Sequence, residues 1–300
     1  MPAPSRWVAE TVGLALCAAS RRARRPRRRF SDLPADTHDI TVPTRHGAVR
    51  CTVYRPPGAA PDTPVHVNVH GGGFVIRFPE QDDAWCRYLS THASVVVLNV
   101  DYDTAPRHRF PVSVEQVSDV VAWAAESGRE CDGSRIGVGG QSAGGSLSAA
   151  AARLARDAGG PDLALQVLHY PVLDLVTRPA DKQAGATRGG VPPWMGRVLD
   201  ACYVTDEATR RDPLVSPAWG PNAEHLEGIA PAVVVTAEHD RLRAEGARYA
   251  RALEAAGALR EYHEVPGVDH GYDIRDRSPE VTEQVYARLA GHVHRALHRG

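Results

Sequence analysis

The sequence predicts an α/β protein in which a mostly parallel sheet is covered by helices on both faces. The first observation is size, because 300 residues of which 43% are hydrophobic can form one domain with a large core. The second is the alternation of β-branched apolar runs with helical patterns along most of the chain. The third is the position of glycine, serine, aspartate and histidine motifs, which directly follow predicted strands, where sites on such sheets form.

Eight runs are predicted to be strands, because each is short, apolar and rich in β-branched residues. The first two have no helical pattern between them and predict an antiparallel hairpin at one edge of the sheet. The predicted strands are 39–42, 48–54, 65–70, 94–100, 135–138, 163–170, 232–237 and 260–265. Helices are predicted over 113–126, 143–158, 243–256 and 279–298.

The N-terminal segment does not follow this alternation. Residues 12–19 are apolar and could be read as the hydrophobic part of a signal peptide. Only Arg6 precedes them and the strong positive charge comes afterwards, which is the wrong arrangement for a signal. We therefore expect an amphipathic N-terminal helix. No run of 18 apolar residues is present, so we expect a soluble protein with no transmembrane helix.

The segment after residue 175 also breaks the pattern. Prolines and glycines interrupt residues 176–193, and a short helical pattern follows at 194–203. A connection of this length is typically functional, so we predict a lid over a site; a mobile surface loop is the alternative. The spacing of Trp194, Met195, Leu199 and Tyr203 favours the packed lid.

Charge and cysteine content narrow the class of protein. The net charge of −1 conceals seven clustered arginines, without which the balance is −8. This cluster is expected to be a solvated face or linker. The functional alternative is that it contacts nucleic acid or an anionic membrane. Five widely spaced cysteines without a C-x-x-C pair indicate reduced thiols in a cytoplasmic protein. The clustered arginines are Arg21, Arg22, Arg24, Arg25, Arg27, Arg28 and Arg29.

The run Gly140-Gln141-Ser142-Ala143-Gly144-Gly145 lies between a predicted strand and a predicted helix. A G-x-S-x-G run in that context forms a sharp turn that exposes a nucleophilic serine, and the flanking positions must be small to avoid clashes. The N-terminus of the helix offers unpaired N–H groups to an anion that forms at Ser142. We predict that Ser142 is the nucleophile; a glycine turn capped by serine is the structural alternative.

A second glycine motif, His70-Gly71-Gly72-Gly73-Phe74, follows the strand predicted at 65–70. Three glycines allow backbone N–H groups to approach a substrate oxygen closely, since no side chains intervene. Lipases and esterases use such a loop to donate hydrogen bonds to the oxyanion. The loop and the serine turn are expected at the same edge of the sheet.

A nucleophilic serine needs a base, and the base needs an acidic residue that orients it. Asp240 and His270 each follow a predicted strand, and they come after Ser142 in the order Ser, Asp, His that this kind of sheet uses. One strand–helix–strand unit separates them, so they should be neighbours. The rival candidates are Glu238 and His239, His263 within the last strand, and His292, His294 and His298 on the terminal helix, where we expect solvated side chains.

Taken together, these motifs resemble those of the hormone-sensitive-lipase-like carboxylesterases, a family with the α/β-hydrolase fold. The resemblance covers about residues 40 to 300. The motifs that carry it are His70-Gly71-Gly72-Gly73, Tyr102-Asp103-Thr104-Ala105-Pro106, Gly140-Gln141-Ser142-Ala143-Gly144-Gly145, Asp212-Pro213-Leu214-Val215-Ser216-Pro217, Asp240-Arg241-Leu242 and His270-Gly271-Tyr272.

The resemblance implies an eight-stranded sheet, a helical cap, no cofactor or metal, and hydrolysis of small-molecule carboxylic esters. It implies that the N–H groups of Gly72, Gly73 and Ala143 form the oxyanion hole, and that Asp212 and Ser216 are structural. The corresponding division of the chain is a cap from 1–38 and 176–211 and a catalytic core from 39–175 and 212–300. Two positions depart from the family pattern: Gln141 replaces the usual Asp, and Asp103 begins a divergent run after Tyr102.

The sequence therefore predicts a two-step ester hydrolysis by Ser142, His270 and Asp240. An amidase or deacetylase with the same three residues is one alternative, and a non-catalytic ligand receptor on the same fold is another. Large aromatic side chains next to glycine loops form apolar clefts, so Phe74, Trp194 and Tyr203 are predicted to border the acyl pocket. No nucleic-acid partner is expected, and the N-terminal part of the cap is a candidate for peripheral lipid contact.

Overall fold

A computed structural model describes residues 6–22, 29–126, 128–183, 190–275 and 277–298. Its eight strands reproduce the eight predicted runs, and the first and fifth strands extend well beyond their predicted bounds. They are β1 (Asp36–Thr44), β2 (Gly47–Arg55), β3 (Pro64–Val69), β4 (Val96–Asp101), β5 (Asp132–Gln141), β6 (Leu163–His169), β7 (Ala232–Ala237) and β8 (Leu259–Val265).

All eight strands form one sheet in the order β1-β2-β4-β3-β5-β6-β7-β8. The β1–β2 and β2–β4 pairs are antiparallel, and every other pair is parallel. The predicted hairpin at one edge and the predicted mostly parallel sheet are both confirmed. Strands β3, β4 and β7 are buried along their whole length, as expected of strands covered on both faces.

Seven helices accompany this sheet in the described residues, and two layers of apolar side chains join them to it. Buried apolar residues of α3, α4 and α6 belong to one apolar cluster, and buried apolar residues of α2 and α7 belong to the other. The helices are α1 (Arg6–Arg22), α2 (Asp83–Ala93), α3 (Val112–Ala125), α4 (Ala143–Asp157), α5 (Pro193–Tyr203), α6 (Arg243–Ala255) and α7 (Pro279–Leu297).

Helix α2 was not predicted from the sequence. It connects β3 to β4 and buries Trp85, Tyr88 and Leu89 against the second apolar cluster. The spacing of these three residues is that of one helical face, and this spacing could have been used to predict α2 from the sequence.

The predicted N-terminal helix is α1, which packs against α5. Gly13 of α1 lies so close to α5 that an added Cβ would be 2.7 Å from Cys202 Sγ, and the Cys202 thiol donates to the Ala9 carbonyl at 3.1 Å. An ion pair between Glu10 and Arg109 joins α1 to the segment before α3 at 2.5 Å. None of the described helices is long and apolar enough to cross a membrane.

The described residues include only part of the arginine cluster. Arg24, Arg25, Arg27 and Arg28 lie outside the described residues, whereas Arg29 pairs with Glu283 of α7. The five cysteines are free thiols, as their spacing predicted.

The prediction that the α7 histidines are solvated is confirmed for His294, which is exposed, but His292 and His298 are half-buried, and all three make contacts. His292 pairs with Glu261 Oε2 at 2.5 Å, and ring nitrogens of His294 and His298 lie 3.1 and 3.0 Å from the carbonyl oxygen of Ala93. That carbonyl belongs to the last residue of α2, so two of these histidines satisfy the end of a helix that the sequence analysis had missed.

Candidate active site

Ser142 occupies the turn between the end of β5 and the start of α4. Its φ and ψ angles are 54° and −118°, a conformation that is strained for a residue with a side chain. The Ser142 N–H donates to the His169 carbonyl at 2.9 Å, and the Val172 N–H donates to the Ser142 carbonyl at 3.2 Å. These bonds to the end of β6 hold the strained turn in place.

The two glycines that flank Ser142 show why this turn requires small residues. A Cβ added to Gly140 would lie 2.2 Å from the carbonyl oxygen of Val69, and a Cβ added to Gly144 would lie 1.9 Å from the same atom. Strand β3 therefore passes directly beside the turn. The clash that the sequence analysis expected at these two positions is present, and it is with this neighbouring strand.

The turn places Ser142 beside two residues from the ends of β7 and β8. His270 Nε2 lies 2.9 Å from Ser142 Oγ, and His270 Nδ1 lies 2.6 Å from Asp240 Oδ2. The other oxygen of Asp240 accepts the Leu242 N–H at 3.0 Å, which fixes the carboxylate. Asp240 and His270 are only 4% and 7% exposed, so this chain of hydrogen bonds is shielded from bulk water. The structure thus brings together the three side chains that the sequence selected.

Packing on both sides of His270 fixes the orientation of its ring. The ring of Tyr170 meets it edge-on, with 4.8 Å between centroids. On another side, a Cβ added to Gly190 would lie 2.4 Å from the Cβ of His270, so the backbone of the segment before α5 contacts the histidine directly. The sequence analysis had treated Gly190 only as one of the glycines that interrupt regular secondary structure before α5.

The glycine loop after β3 borders the same cavity as Ser142. Gly72 and Gly73 have φ angles of 131° and 60°, which favour glycine. A Cβ on Gly72 would lie 2.3 Å from the carbonyl oxygen of Ile76, and one on Gly73 would lie 2.5 Å from Leu199 Cδ1. Ala143 is the first residue of α4, where N–H groups have no acceptor within the helix.

His70 and Tyr102 pack together at the start of the glycine loop. Their rings stack with 4.3 Å between centroids, and the Tyr102 hydroxyl donates to the His70 carbonyl at 2.9 Å. Burial lowers the pKa of His70 to about 4, so its ring is neutral at pH 7. His70 Nδ1 lies 2.6 Å from the Gly71 carbonyl oxygen, which places the ring against the start of the glycine run.

Gln141, one of the two departures from the family pattern, lies between two buried carboxylates. The Gln141 amide is oriented so that both its oxygen and its nitrogen have hydrogen-bond partners. In this orientation the nitrogen donates to Asp82 Oδ1 at 2.8 Å. On the other side Asp273 accepts hydrogen bonds from the hydroxyls of Tyr170, at 2.5 Å, and Tyr286, at 3.0 Å. A neutral amide at position 141 therefore avoids a third carboxylate in a region from which water is excluded.

A cavity of about 290 Å³ opens above Ser142. Phe74 lines it, as predicted, but Trp194 and Tyr203 do not. Trp194 is 48% exposed to solvent, and Tyr203 is buried in a stack on Phe74 with 3.9 Å between ring centroids. The residues of α5 that line the cavity are Met195, Gly196, Leu199 and Asp200.

The rival acid and base candidates have other contacts. Glu238 accepts the Gly267 N–H at 2.7 Å, and His263 lies within β8 rather than beyond its end. The two family positions read as structural do bind the backbone: Asp212 accepts the Leu214 N–H at 2.8 Å, and Ser216 Oγ accepts the Leu175 N–H at 2.8 Å.

Comparison with known proteins identifies the family of the chain. A family described as the alpha/beta hydrolase fold matches residues 66–274. Carboxylesterase NlhH of Mycobacterium tuberculosis is 38% identical over 227 residues, which cover 73% of this chain and 70% of that protein. Ethyl acetate hydrolase of Pseudomonas putida is 34% identical over 259 residues, covering 81% of this chain and 77% of the relative.

Solved structures agree over nearly the whole chain. An esterase of Pyrobaculum calidifontis superposes with a TM-score of 0.81 at 32% identity, covering 96% of this chain and 91% of the other. A thermostable esterase from Pseudomonas putida superposes with a TM-score of 0.83 at 27% identity, covering 99% and 92%.

Proposed function

Because the chain belongs to the α/β-hydrolase fold family and is similar to its carboxylesterases, we propose that it is a serine hydrolase that cleaves carboxylic esters. The observation that carries the proposal is the continuous path of hydrogen bonds from Ser142 through His270 to Asp240. The two distances, 2.9 and 2.6 Å, suit proton transfer from the serine to an imidazole that a carboxylate orients.

In the proposed reaction, Ser142 Oγ attacks the acyl carbon while His270 Nε2 takes the serine proton. The electron pair of the carbonyl bond moves onto the carbonyl oxygen. When the tetrahedral intermediate collapses, the bond to the alcohol oxygen breaks and His270 protonates that oxygen. A water molecule then attacks the acyl-enzyme with His270 as base, and the acid leaves as Ser142 regains its proton.

Asp240 has an electrostatic role in this scheme. Its carboxylate accepts the N–H of His270 Nδ1, which leaves Nε2 free to accept the serine proton, and it stabilises the imidazolium that forms. Since both side chains are almost fully buried, this attraction is screened less than it would be in water.

The N–H groups of Gly72, Gly73 and Ala143 are proposed to stabilise the oxyanion. Two features support this role: the cavity reaches the backbone of Gly72 and Gly73, and the N-terminus of α4 lies directly behind Ser142. A donor of this kind typically contributes about 3 to 4 kcal/mol to transition-state stabilisation.

We further propose that residues 1–38 and 176–211 form a cap over the catalytic core. The contacts between α1 and α5 support this division, as does the part of the cavity wall that Met195 and Leu199 of α5 supply. The cap would shield the acyl-enzyme from bulk water during the reaction.

The outward face of α1 supports lipid contact as a property of this cap. Trp7, Val8 and Leu14 are 74%, 42% and 43% exposed, and no charged residue occurs between Glu10 and Arg21. An exposed apolar helix face followed by clustered arginines suits the surface of an anionic membrane. We propose that α1 contacts such a surface.

The decisive assay is hydrolysis of p-nitrophenyl butyrate by wild type, Ser142→Ala and Ser146→Ala. The second serine lies one turn further along α4 and serves as the matched control. Ser142→Ala should lower kcat at least about 10³-fold while thermal unfolding stays unchanged, and Ser146→Ala should retain activity. A fully active, folded Ser142→Ala protein would refute the proposal. Faster cleavage of butyryl p-nitroanilide than of the ester would instead identify an amidase.

A further inference from the structure

One wall of the cavity is charged, although most of the cavity is apolar. Lys182, Asp200 and Arg241 line this wall, which faces a space otherwise bordered by side chains such as Met195 and Leu199. Lys182 is the only lysine in the chain. Ester hydrolysis by Ser142 does not use any of the three, so the charges call for a separate explanation.

The ammonium group of Lys182 is already paired. Its Nζ lies 2.6 Å from Glu245 Oε2 and donates to the Asp174 carbonyl at 2.7 Å. Burial alone would lower the pKa of Lys182, but the carboxylates of Glu245 and Asp200 outweigh it and keep the pKa above its ordinary value. Glu245 is itself fixed, because it also accepts the Leu173 N–H at 2.7 Å. Lys182 is therefore a fixed positive charge in the wall.

Asp200 has no such partner. The residue is 9% exposed, and it lies one helical turn after Gly196 on the face of α5 that borders the cavity. Within the described part of the chain, its carboxylate has neither a hydrogen bond nor an ion pair within 4 Å. Burial raises the pKa of Asp200 to about 6, and the positive charges of Lys182 and Arg210 oppose that rise. At pH 7 and above, the site thus presents an ionised carboxylate to whatever enters the cavity.

A carboxylate in this position discriminates between ligands. An apolar substrate group that displaced water from Asp200 would leave a buried charge without a hydrogen bond, which is strongly unfavourable. A group that donates a hydrogen bond would replace that water. Lys182 and Arg241 carry positive charge on the same wall and disfavour an ammonium group, while Asp200 disfavours an acid. A neutral donor, such as a hydroxyl group, satisfies both conditions.

We propose that Asp200 forms a subsite for a hydroxyl group carried by the substrate, so that hydroxylated esters are preferred over matched esters without the hydroxyl. The proposal rests on the proposed ester hydrolysis and adds the class of ester. Asp200 takes no part in the proton transfers described above, so its role is in specificity.

The test compares kcat/KM for matched pairs of esters. On the acyl side, p-nitrophenyl hexanoate is compared with its 3-hydroxy and 6-hydroxy analogues. On the alcohol side, hexyl acetate is compared with 6-hydroxyhexyl acetate. A hydrogen bond to a buried charge corresponds to a preference of about tenfold to about a hundredfold. The wild type should show such a preference in at least one pair, and p-nitrophenyl 6-aminohexanoate should gain none.

Variants at position 200 test whether Asp200 causes the preference for hydroxylated esters. Asp200→Ala should bring the ratio of kcat/KM within each pair close to one, because the acceptor for the substrate hydroxyl is removed. Asp200→Asn keeps the shape of the side chain without the charge and should reduce the ratio several-fold, which provides a test if the alanine variant does not fold. Trp194→Ala, at an exposed position of the same helix, should leave the ratio unchanged.

The possible failures are distinguishable. If esters are cleaved by a Ser142-dependent activity with equal kcat/KM for both members of every pair, the subsite is refuted and the proposed function stands. A preference for the ammonium ester, or a hydroxyl preference that Asp200→Ala leaves intact, also refutes the subsite. If no ester is cleaved in a Ser142-dependent manner, the proposed function fails and the subsite fails with it.

Discussion

His66 is expected to make the stability of this protein sensitive to acid. It lies on β3, 1% exposed, and neither ring nitrogen has a hydrogen-bond partner in the described residues. The glycines of β5 create the space for it: a Cβ on Gly137 would lie 2.9 Å from Nδ1, and a Cβ on Gly139 would lie 3.0 Å from Nε2. Burial lowers the pKa of His66 from 6.5 to about 3, so the ring stays neutral in the folded state.

The size of the effect follows from this difference. The pKa of His66 is lower in the folded state than in the unfolded state. The neutral ring therefore contributes its full share of the free energy of unfolding above pH 6.5, and this share is lost as the pH falls from 6.5 towards 3. At pH 4.5 the unfolded histidine is protonated and the folded one is not. The free energy of unfolding should then be lower by about 3 kcal/mol, from about 1.36 kcal/mol per pH unit over two units.

Urea unfolding of wild type and His66→Leu at pH 7.5 and pH 4.5 measures this difference. Between the two pH values, the variant should lose about 3 kcal/mol less stability than wild type, whatever the other titrating groups contribute. His108→Leu, at an exposed position, is the control and should follow wild type. Equal losses in wild type and His66→Leu would refute the argument that burial keeps this ring neutral.

Three further predictions concern the cavity and α1. Gly73→Ala should lower kcat for p-nitrophenyl butyrate at least about tenfold, because the new Cβ would meet Leu199 at 2.5 Å and the backbone N–H would turn away. Leu199→Ala should shift the preferred acyl chain to longer esters, whereas Trp194→Ala should not; an unchanged preference in both would contradict the α5 wall. Combined Trp7→Ser and Leu14→Ser should reduce co-sedimentation with phosphatidylserine vesicles, and equal binding by the variant would refute lipid contact by α1.

The central site was predictable because its signals are local. The Ser142 turn and the glycine loop after His70 are short runs whose geometry neighbouring glycines determine. Asp240 and His270 follow consecutive parallel strands, so the sheet must bring their positions to one edge. The sequence therefore contained both the identity of these residues and the reason for their proximity.

The cavity wall was harder to predict, because it depends on how α5 is rotated about its axis. The helical spacing at 194–203 was recognised, but consecutive side chains on a helix point about 100° apart. Trp194 was predicted to border the pocket, yet the neighbouring Met195 does so and Trp194 faces solvent. Tertiary packing, such as that of Gly13 against Cys202 and of Tyr203 on Phe74, fixes this rotation.

Lys182 shows a second limit of sequence reasoning. A single lysine among 35 basic residues can be read as a matter of composition. Its importance in the structure comes from Glu245, which lies on α6 and is distant along the chain. No periodicity or motif links two such residues, so the buried ion pair and the charged wall beside Asp200 become visible only in the folded protein.

The central claim, that Ser142 is the activated nucleophile, is tested most directly by labelling with a fluorophosphonate followed by peptide mass spectrometry. The reagent forms a covalent bond only with a serine whose hydroxyl is activated. Wild type should be labelled at Ser142 at a ratio close to one per chain, Asp240→Asn should be labelled far more slowly, and Ser142→Ala should not be labelled. Absence of labelling in the folded wild type, or labelling at another serine, would contradict the account.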